Sequence, residues 1–399
     1  MSSKDAPRTA EVSLYDAAGL AEAGTADANY DALERRLRAS GVPLVAHVEQ
    51  LLNDPHVAPD VWGGLACLLE RCATADLRGA VGLVLIMHDL DEASRVLEPA
   101  APVLERCSDR LTEPSTRDAF REFYRLPDDY ALDSATFYKL GTTSFILECR
   151  RAPTDDRFAK PQRFALKCLL PRYLLIRSIR QRTLAYKHEH GAEVSHAPQI
   201  YESTERYIAM DLVVGDTLAE RFALHRSKRR TGGIDFAFVR AVGVTLCTIL
   251  GELHQDRHHH LDLSPSNIIV GPDDALDLTL VDFGHNFAIT EKVSSNAATK
   301  QAMHYIAPEL FDDTTRDDAK CDMYSLGVIL LEAAADANQD LGKAGDDSLS
   351  MLWERAPGIA RIVEDLIDDK PEYRLLLADE ETAAIHIFTS PTSSSRRPR

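Results

Sequence analysis

The sequence predicts an α+β chain: an all-helical region at the front, then a longer stretch in which short strands give way to helices. Two observations carry that reading. Through residues 12–125 the segments DALERRLRAS, VPLVAHVEQLLND, DVWGGLACLLERCATA, EPAAPVLERCSDRL and TRDAFREFYRL repeat apolar residues at three- and four-residue steps. That is the period of a helix with one buried face. Further on, FALKCLL (164–170), YIAMDLVV (207–214), IIV (268–270) and LTLV (278–281) are short apolar runs of strand length, and VILLEAAA (328–335) is an apolar helix.

Taken in order, Pro43, Pro55, Pro59, Pro99, Pro102 and Pro114 punctuate the first helices near their starts or between them. LLERC (68–72) and VLERC (103–107) lie 35 residues apart, a spacing compatible with stacked helical hairpins, and a small helical bundle satisfies the pattern without any repeat. The most informative stretch is 258–284, HHHLDLSPSNIIVGPDDALDLTLVDFG. Five positions separate Asp262 from Asn267, the runs IIV and LTLV read as a hairpin, and Asp282-Phe283-Gly284 follows. Downstream come Tyr305-Ile306-Ala307-Pro308-Glu309, then Asp322-Met323-Tyr324-Ser325-Leu326-Gly327 opening the apolar helix, then Asp369-Lys370-Pro371-Glu372-Tyr373-Arg374.

In this order these four elements resemble the catalytic loop, the Asp-Phe-Gly element, the Ala-Pro-Glu motif and the large-lobe helices of the eukaryotic-like protein kinases, Ser/Thr type. The resemblance implies a bilobal protein-kinase fold over 129–380, with a small lobe over about 129–213 and a large lobe over about 214–380. It leaves a helical domain at 12–128, a disordered N-terminus at 1–11 and a disordered Ser/Arg-rich tail at 381–399. It also implies ATP and Mg²⁺ as cofactors, with Mn²⁺ as an alternative, and a protein Ser/Thr hydroxyl as acceptor. Asp262 would orient that hydroxyl, and Asn267 and Asp282 would hold the metal through hard oxygen donors. Lys167 sits where the family's phosphate-binding lysine sits, with Glu189 as its expected ion-pair acid and Glu193 as second choice. Ala165 and the gatekeeper Met210 would touch adenine, and the backbones of Asp211 and Val213 would bind its edge. Arg374 would pair with Glu309.

Several residues depart from the family pattern. The loop expected to cover the phosphates reads Gly141-Thr142-Thr143-Ser144-Phe145-Ile146, keeping only the first glycine, and Glu148 stands where an apolar roof residue is expected. Weaker nucleotide binding follows, since glycines let backbone N–H groups approach phosphates closely. Leu261 replaces the arginine that would receive an activation-segment phosphate, so control is expected from the helical domain instead. Ser264 and Ala302 replace a lysine and a threonine that act together on the transferring phosphate. Two other readings stay open: a pseudokinase scaffold that binds nucleotide weakly or not at all, and a small-molecule phosphotransferase. The last shares the Asp-to-Asn spacing but generally lacks the Ala-Pro-Glu and Asp322 motifs.

The 399 residues carry a net charge of −18, which argues against a general nucleic-acid binder. Seven cysteines, scattered and odd in number, read as reduced thiols; Cys168, beside Lys167, is either reactive or packed. The three histidines 258–260 have no ligand cluster beside them in sequence, and His260 is expected to be structural. Basic residues gather at 225–230 and at Arg172, Arg177, Arg180 and Arg182, where a phosphate or acidic partner is one use and a solvated face the other. No secretion signal is visible, and the apolar run 81–87 is too short to cross a bilayer, so a cytoplasmic protein without membrane contact is expected. The helical domain is expected to bind a protein partner or to brace the small lobe, and the tail is an expected site of autophosphorylation.

Overall fold

A computed structural model describes residues 39, 44–52, 65–66, 74–95, 100–151, 162–190, 194–228, 236–272, 276–284, 304–311, 317–334 and 344–374. The fold is α+β and falls into two compact units, Met1–Lys187 with Tyr201–Leu212, and His188–Ile200 with Val213–Arg399. Glu193, Ala302, most of the first predicted helices and the terminal segments 1–11 and 381–399 lie outside the described residues.

The first unit begins with helices α1 (Leu44–Leu52), α2 (Ala75–Ala93), α3 (Ala101–Leu111) and α4 (Pro114–Tyr124). Strands β1 (Tyr130–Leu140), β2 (Ser144–Arg151) and β3 (Gln162–Leu169) follow, then the short α5 (Pro171–Leu174), α6 (Arg177–His190), β4 (Ile200–Ser203) and β5 (Tyr207–Asp211). The sheet order is β1-β2-β3-β5-β4, and the β1–β2, β2–β3 and β3–β5 pairs are antiparallel. α6 is continuous, and its last turn belongs to the second unit.

Antiparallel register gives this sheet two different faces, because side chains alternate along each strand. Phe145, Leu147 and Cys149 of β2, Phe164, Leu166 and Cys168 of β3, and Tyr207 and Ala209 of β5 share one face. These residues form a single core with Leu83 and Ile86 of α2, Leu104 and Cys107 of α3, and Phe120 and Tyr124 of α4. Phe145 is the hub, with ring centroids 6.3 Å from Phe120, 5.9 Å from Tyr124 and 5.4 Å from Phe137. The buried Tyr124 hydroxyl donates to the Leu169 carbonyl (2.8 Å), and Arg206 donates to the Phe123 carbonyl (2.7 Å). Gly79 and Gly82 let α4 approach α2 closely: a Cβ at Gly79 would lie 2.2 Å from the Ser115 carbonyl oxygen. The helices therefore complete the core of the sheet.

In the second unit, β6 (Asp216–Thr217) leads into α7 (Leu218–Lys228), which opens on a capping box. The Glu220 carboxylate accepts from the Thr217 N–H (2.7 Å), and the Glu220 N–H donates to Thr217 Oγ1 (3.2 Å). α8 (Phe236–Gln255), β7 (Ile268–Val270), β8 (Leu278–Leu280), α9 (Asp318–Ala334), α10 (Ala344–Arg355) and α11 (Pro357–Leu366) complete it. α8 is long and apolar enough to cross a membrane, with mean hydropathy 1.7. Its Val239, Val242, Leu246, Leu250 and Leu253 are buried in the protein, as in a core helix.

Candidate active site

The second unit assembles the acids and the amide. β6, β7 and β8 form a three-stranded antiparallel sheet in which Ile268 faces Leu280 and Val270 faces Leu278. That register puts Asn267, just before β7, at the same end of the hairpin as Val281 and Asp282, just after β8. The Val281 N–H donates to the Asn267 carbonyl (2.9 Å), closing that end. Gly215 permits β6 to join, since a Cβ there would lie 2.1 Å from the Val270 carbonyl oxygen.

The loop before β7 folds back on itself. A turn of 3₁₀-helix, Pro265–Asn267, is closed by the Asn267 N–H donating to the Ser264 carbonyl (2.9 Å). The Asn267 side-chain amide donates to the Asp262 carbonyl (2.8 Å) and to Asp262 Oδ2 (3.3 Å). With its nitrogen committed to Asp262, the amide of Asn267 presents Oδ1 as its remaining acceptor. An Asp carboxylate and an Asn carbonyl at one hairpin end suit Mg²⁺, which takes one or two protein oxygens and completes its shell with water and phosphate. Among the described residues no group of three or more His, Cys, Asp or Glu forms a metal cluster.

Two buried residues hold this loop to its surroundings. Asp322, fully buried at the start of α9, accepts from the His260 N–H (2.8 Å), the Leu261 N–H (2.7 Å) and His254 Nε2 (3.0 Å). Burial alone would raise its carboxyl; the His254 hydrogen bond, the adjacent His254 and His260 imidazoles and the backbone donor outweigh this and hold it below the ordinary range. His260, also fully buried, is kept neutral by burial against the opposing pull of Asp322. Its neutral ring suits both neighbours, with Nε2–H donating to the Val281 carbonyl (3.0 Å) and Nδ1 accepting from the Asp262 N–H (3.3 Å). The Gly284 N–H returns to the His260 carbonyl (2.7 Å), and Phe283 lies 4.6 Å from the His260 ring. Leu261 and Asp282 adopt positive φ (60° and 68°), a conformation that costs roughly 1–2 kcal/mol for non-glycine residues.

Further along, Arg374 is buried and forms a bidentate pair with Glu309, one contact at 3.0 Å, as its motif implied. Its Nε donates to the Asp368 carbonyl (2.6 Å), and its guanidinium lies over Tyr324 (4.9 Å). Part of the basic stretch 225–230 is engaged internally: His225 stacks on Phe238 (3.9 Å) and Arg226 lies 3.7 Å from Glu332.

The first unit carries the remaining candidates on the sheet face opposite the shared core. Lys167 lies opposite Ile146 and Ile208, and Ala165 opposite Glu148 and Met210, so these six residues share that face. Lys167 is only 6% exposed. Gly141, Thr142 and Thr143 form the loop between β1 and β2, closed by the Gly141 N–H donating to the carbonyl of Ser144, the first residue of β2 (2.8 Å). Glu148 is paired with Arg163 (2.7 Å). Asp211 accepts from the Tyr201 hydroxyl, and Val213 begins the second unit. Cys168 points into the core, where burial and the nearby Cys149 thiol push it well above the ordinary thiol range, so it is packed rather than reactive.

Glu189 lies in the last turn of α6, within the second unit. Its side chain is 58% exposed, with His190 Nε2 3.9 Å away, while the buried stripe of α6 runs through Ile179, Thr183 and Tyr186. Helical spacing puts Tyr186, not Glu189, on the line of that stripe. Sequence reasoning did not single out His254, Asp91 or Tyr186. A His and an Asp 68 residues apart carry no local signal, and only the stripe in α6 was open to periodicity.

Known protein kinases resemble this chain in sequence. The family model described as the protein kinase domain matches residues 176–375, half of the chain. The serine/threonine-protein kinase PknA of the cyanobacterium Nostoc is 23% identical over 260 residues, covering 61% of this chain and 44% of that protein. The rice CBL-interacting protein kinase 24 is 25% identical over 186 residues, covering 44% and 38%. The chain thus spans less than half the length of these curated relatives. The solved kinase domain of Mycobacterium tuberculosis PknI aligns at 19% identity over 66% of this chain and 97% of that one, with TM-score 0.46. Asp262, Asn267, Asp282, Glu309, Asp322 and Arg374 all fall inside the matched span, and the chain belongs to the protein kinase domain family.

Proposed function

We propose that this chain is an ATP-dependent protein kinase that phosphorylates protein Ser/Thr hydroxyls and is controlled through its N-terminal helices rather than by activation-segment phosphorylation. The observation that carries the reading is the hold of the Asn267 amide on Asp262, at the hairpin end that also bears Asp282. Phosphoryl transfer asks chiefly for positioning and charge neutralisation, and a fixed carboxylate beside hard oxygen donors supplies the first.

In this reading Asp262 accepts a hydrogen bond from the incoming hydroxyl and aims it. Asn267 Oδ1 and the Asp282 carboxylate would hold Mg²⁺ or Mn²⁺, which when bound neutralises phosphate charge. Lys167 supplies a further positive charge to the phosphates, and backbone groups of Gly141, Thr142, Thr143 and Ser144 cover them. Ala165 and Met210 border the adenine, with Asp211 and Val213 at its edge. The relatives named serine/threonine-protein kinase support the choice of acceptor. Cys107, Cys149, Cys168, Cys247 and Cys321 are buried free thiols, which suits a cytoplasmic location.

A radiolabelled-ATP assay with and without generic protein substrate, run beside Asp262→Asn and Lys167→Ala, tests this. Label in the parent and its loss in both variants is expected; mass spectrometry should also find phosphate in the 381–399 tail. No label with measurable nucleotide binding would favour the scaffold reading. That reading draws on Ile146, Ser264 and Ala302, of which Ile146 shares the sheet face of Lys167.

A further inference from the structure

We infer that the N-terminal helices set the position of the phosphate-covering loop through one arginine, Arg172. The inference rests on the proposed nucleotide role of Gly141–Ser144 and gives the helices a physical means of acting on it. Arg172 sits in α5, directly after β3, with its guanidinium over Tyr173 (4.8 Å). One nitrogen, Nη2, donates to the backbone carbonyl of Thr142 at the tip of the loop (2.7 Å). The other, Nη1, is paired with the Asp91 carboxylate in the last turn of α2 and reaches the Asp91 carbonyl (3.3 Å).

Each partner explains part of the arrangement. A carboxylate in the last turn of a helix faces the negative end of the dipole, so Asp91 needs nearby cations. It has two, Arg95 through Oδ2 and Arg172 through Oδ1. The Arg172–Asp91 pair is sheltered, with side chains 25% and 18% exposed, and planar guanidinium geometry fixes both ends of the bridge at once. The loop has one other tie nearby, from the Leu170 N–H to the Thr143 carbonyl (2.9 Å). Both come from the segment 170–172, so the end of α2 anchors the segment that holds the loop. Arg172 is thus a positioning residue, committed to this bridge rather than to an external phosphate.

The test uses the full chain and compares Asp91→Asn, Arg172→Met and the conservative Arg172→Lys with the parent. Amide exchange at residues 141–144 reads the tie directly, and calorimetry with Mg-ATP reads its consequence. Expected are faster exchange in Asp91→Asn and Arg172→Met, affinity about tenfold weaker, and partial recovery in Arg172→Lys. The double variant Asp91→Asn/Arg172→Met should be no worse than the poorer single, as members of one network are not additive. Unchanged loop exchange overturns the inference, and so does faster exchange with unchanged affinity. A parent that binds no nucleotide overturns the functional reading, while the exchange measurement still decides whether the tie exists.

Discussion

Removing residues 1–128 and expressing 129–399 alone should abolish cooperative folding of the sheet unit. The helical region supplies most of its core, so its loss uncovers Phe145, Leu147 and Leu166, each at 0% exposure in the intact protein. Exposing a fully buried Phe or Leu costs about 1.5–3 kcal/mol, so these three alone forfeit roughly 4.5–9 kcal/mol. That is comparable with the 5–15 kcal/mol net stability of an ordinary domain. The Tyr124 hydroxyl bond to Leu169 and the Arg206 bond to Phe123 are lost as well. Thermal unfolding followed by near-UV circular dichroism and dye binding would show a missing or non-cooperative first transition and exposed apolar surface. A truncated protein that is monomeric and melts cooperatively within a few degrees of the parent would refute the shared-core reasoning.

Other outcomes follow from single residues. Glu309→Gln leaves Arg374 charged and buried and should destabilise by about 3–5 kcal/mol in chemical denaturation, while Glu309→Leu with Arg374→Met should cost less than either single change. Glu148→Val removes a carboxylate from the Lys167 face and should tighten Mg-ATP binding about three- to tenfold by calorimetry; weaker binding would contradict its proposed place beside the base. Glu189→Ala should alter nucleotide affinity less than about twofold, since that carboxylate is exposed. His190 is held down to about 4, first by burial and then by the neighbouring His260 and His258 imidazoles. Because its folded value lies below its ordinary 6.5, the folded state binds fewer protons in that window. Stability is therefore full above pH 6.5 and declines as pH falls toward 4, and His190→Phe should flatten the melting temperature's dependence on pH there.

The motifs of the second unit were legible in the sequence because their chemistry is short-range. Asp262 and Asn267 are joined by one turn, Asn267 and Asp282 by one hairpin, and neither arrangement needs knowledge of distant chain. The Arg374–Glu309 pair was legible only through resemblance, since 65 residues separate them. Glu189, expected as the ion-pair acid of Lys167, has a side chain 58% exposed, and the buried stripe of its helix runs through Tyr186. The histidine run 258–260 gave no local hint that His260 would be buried between Val281, Phe283 and Asp322.

Residue order alone carried the family resemblance, the spacing of Asp262, Asn267 and Asp282, and the loss of glycines after Gly141, because each depends on spacing within a few turns of chain. Folding in three dimensions decided what the first helices pack against. Strand register turned one face of β2, β3 and β5 toward them and the other toward Lys167, and only that division made Asp91 and Arg172 neighbours of the loop. Such contacts join residues up to 81 positions apart, a separation over which periodicity and propensity carry no information.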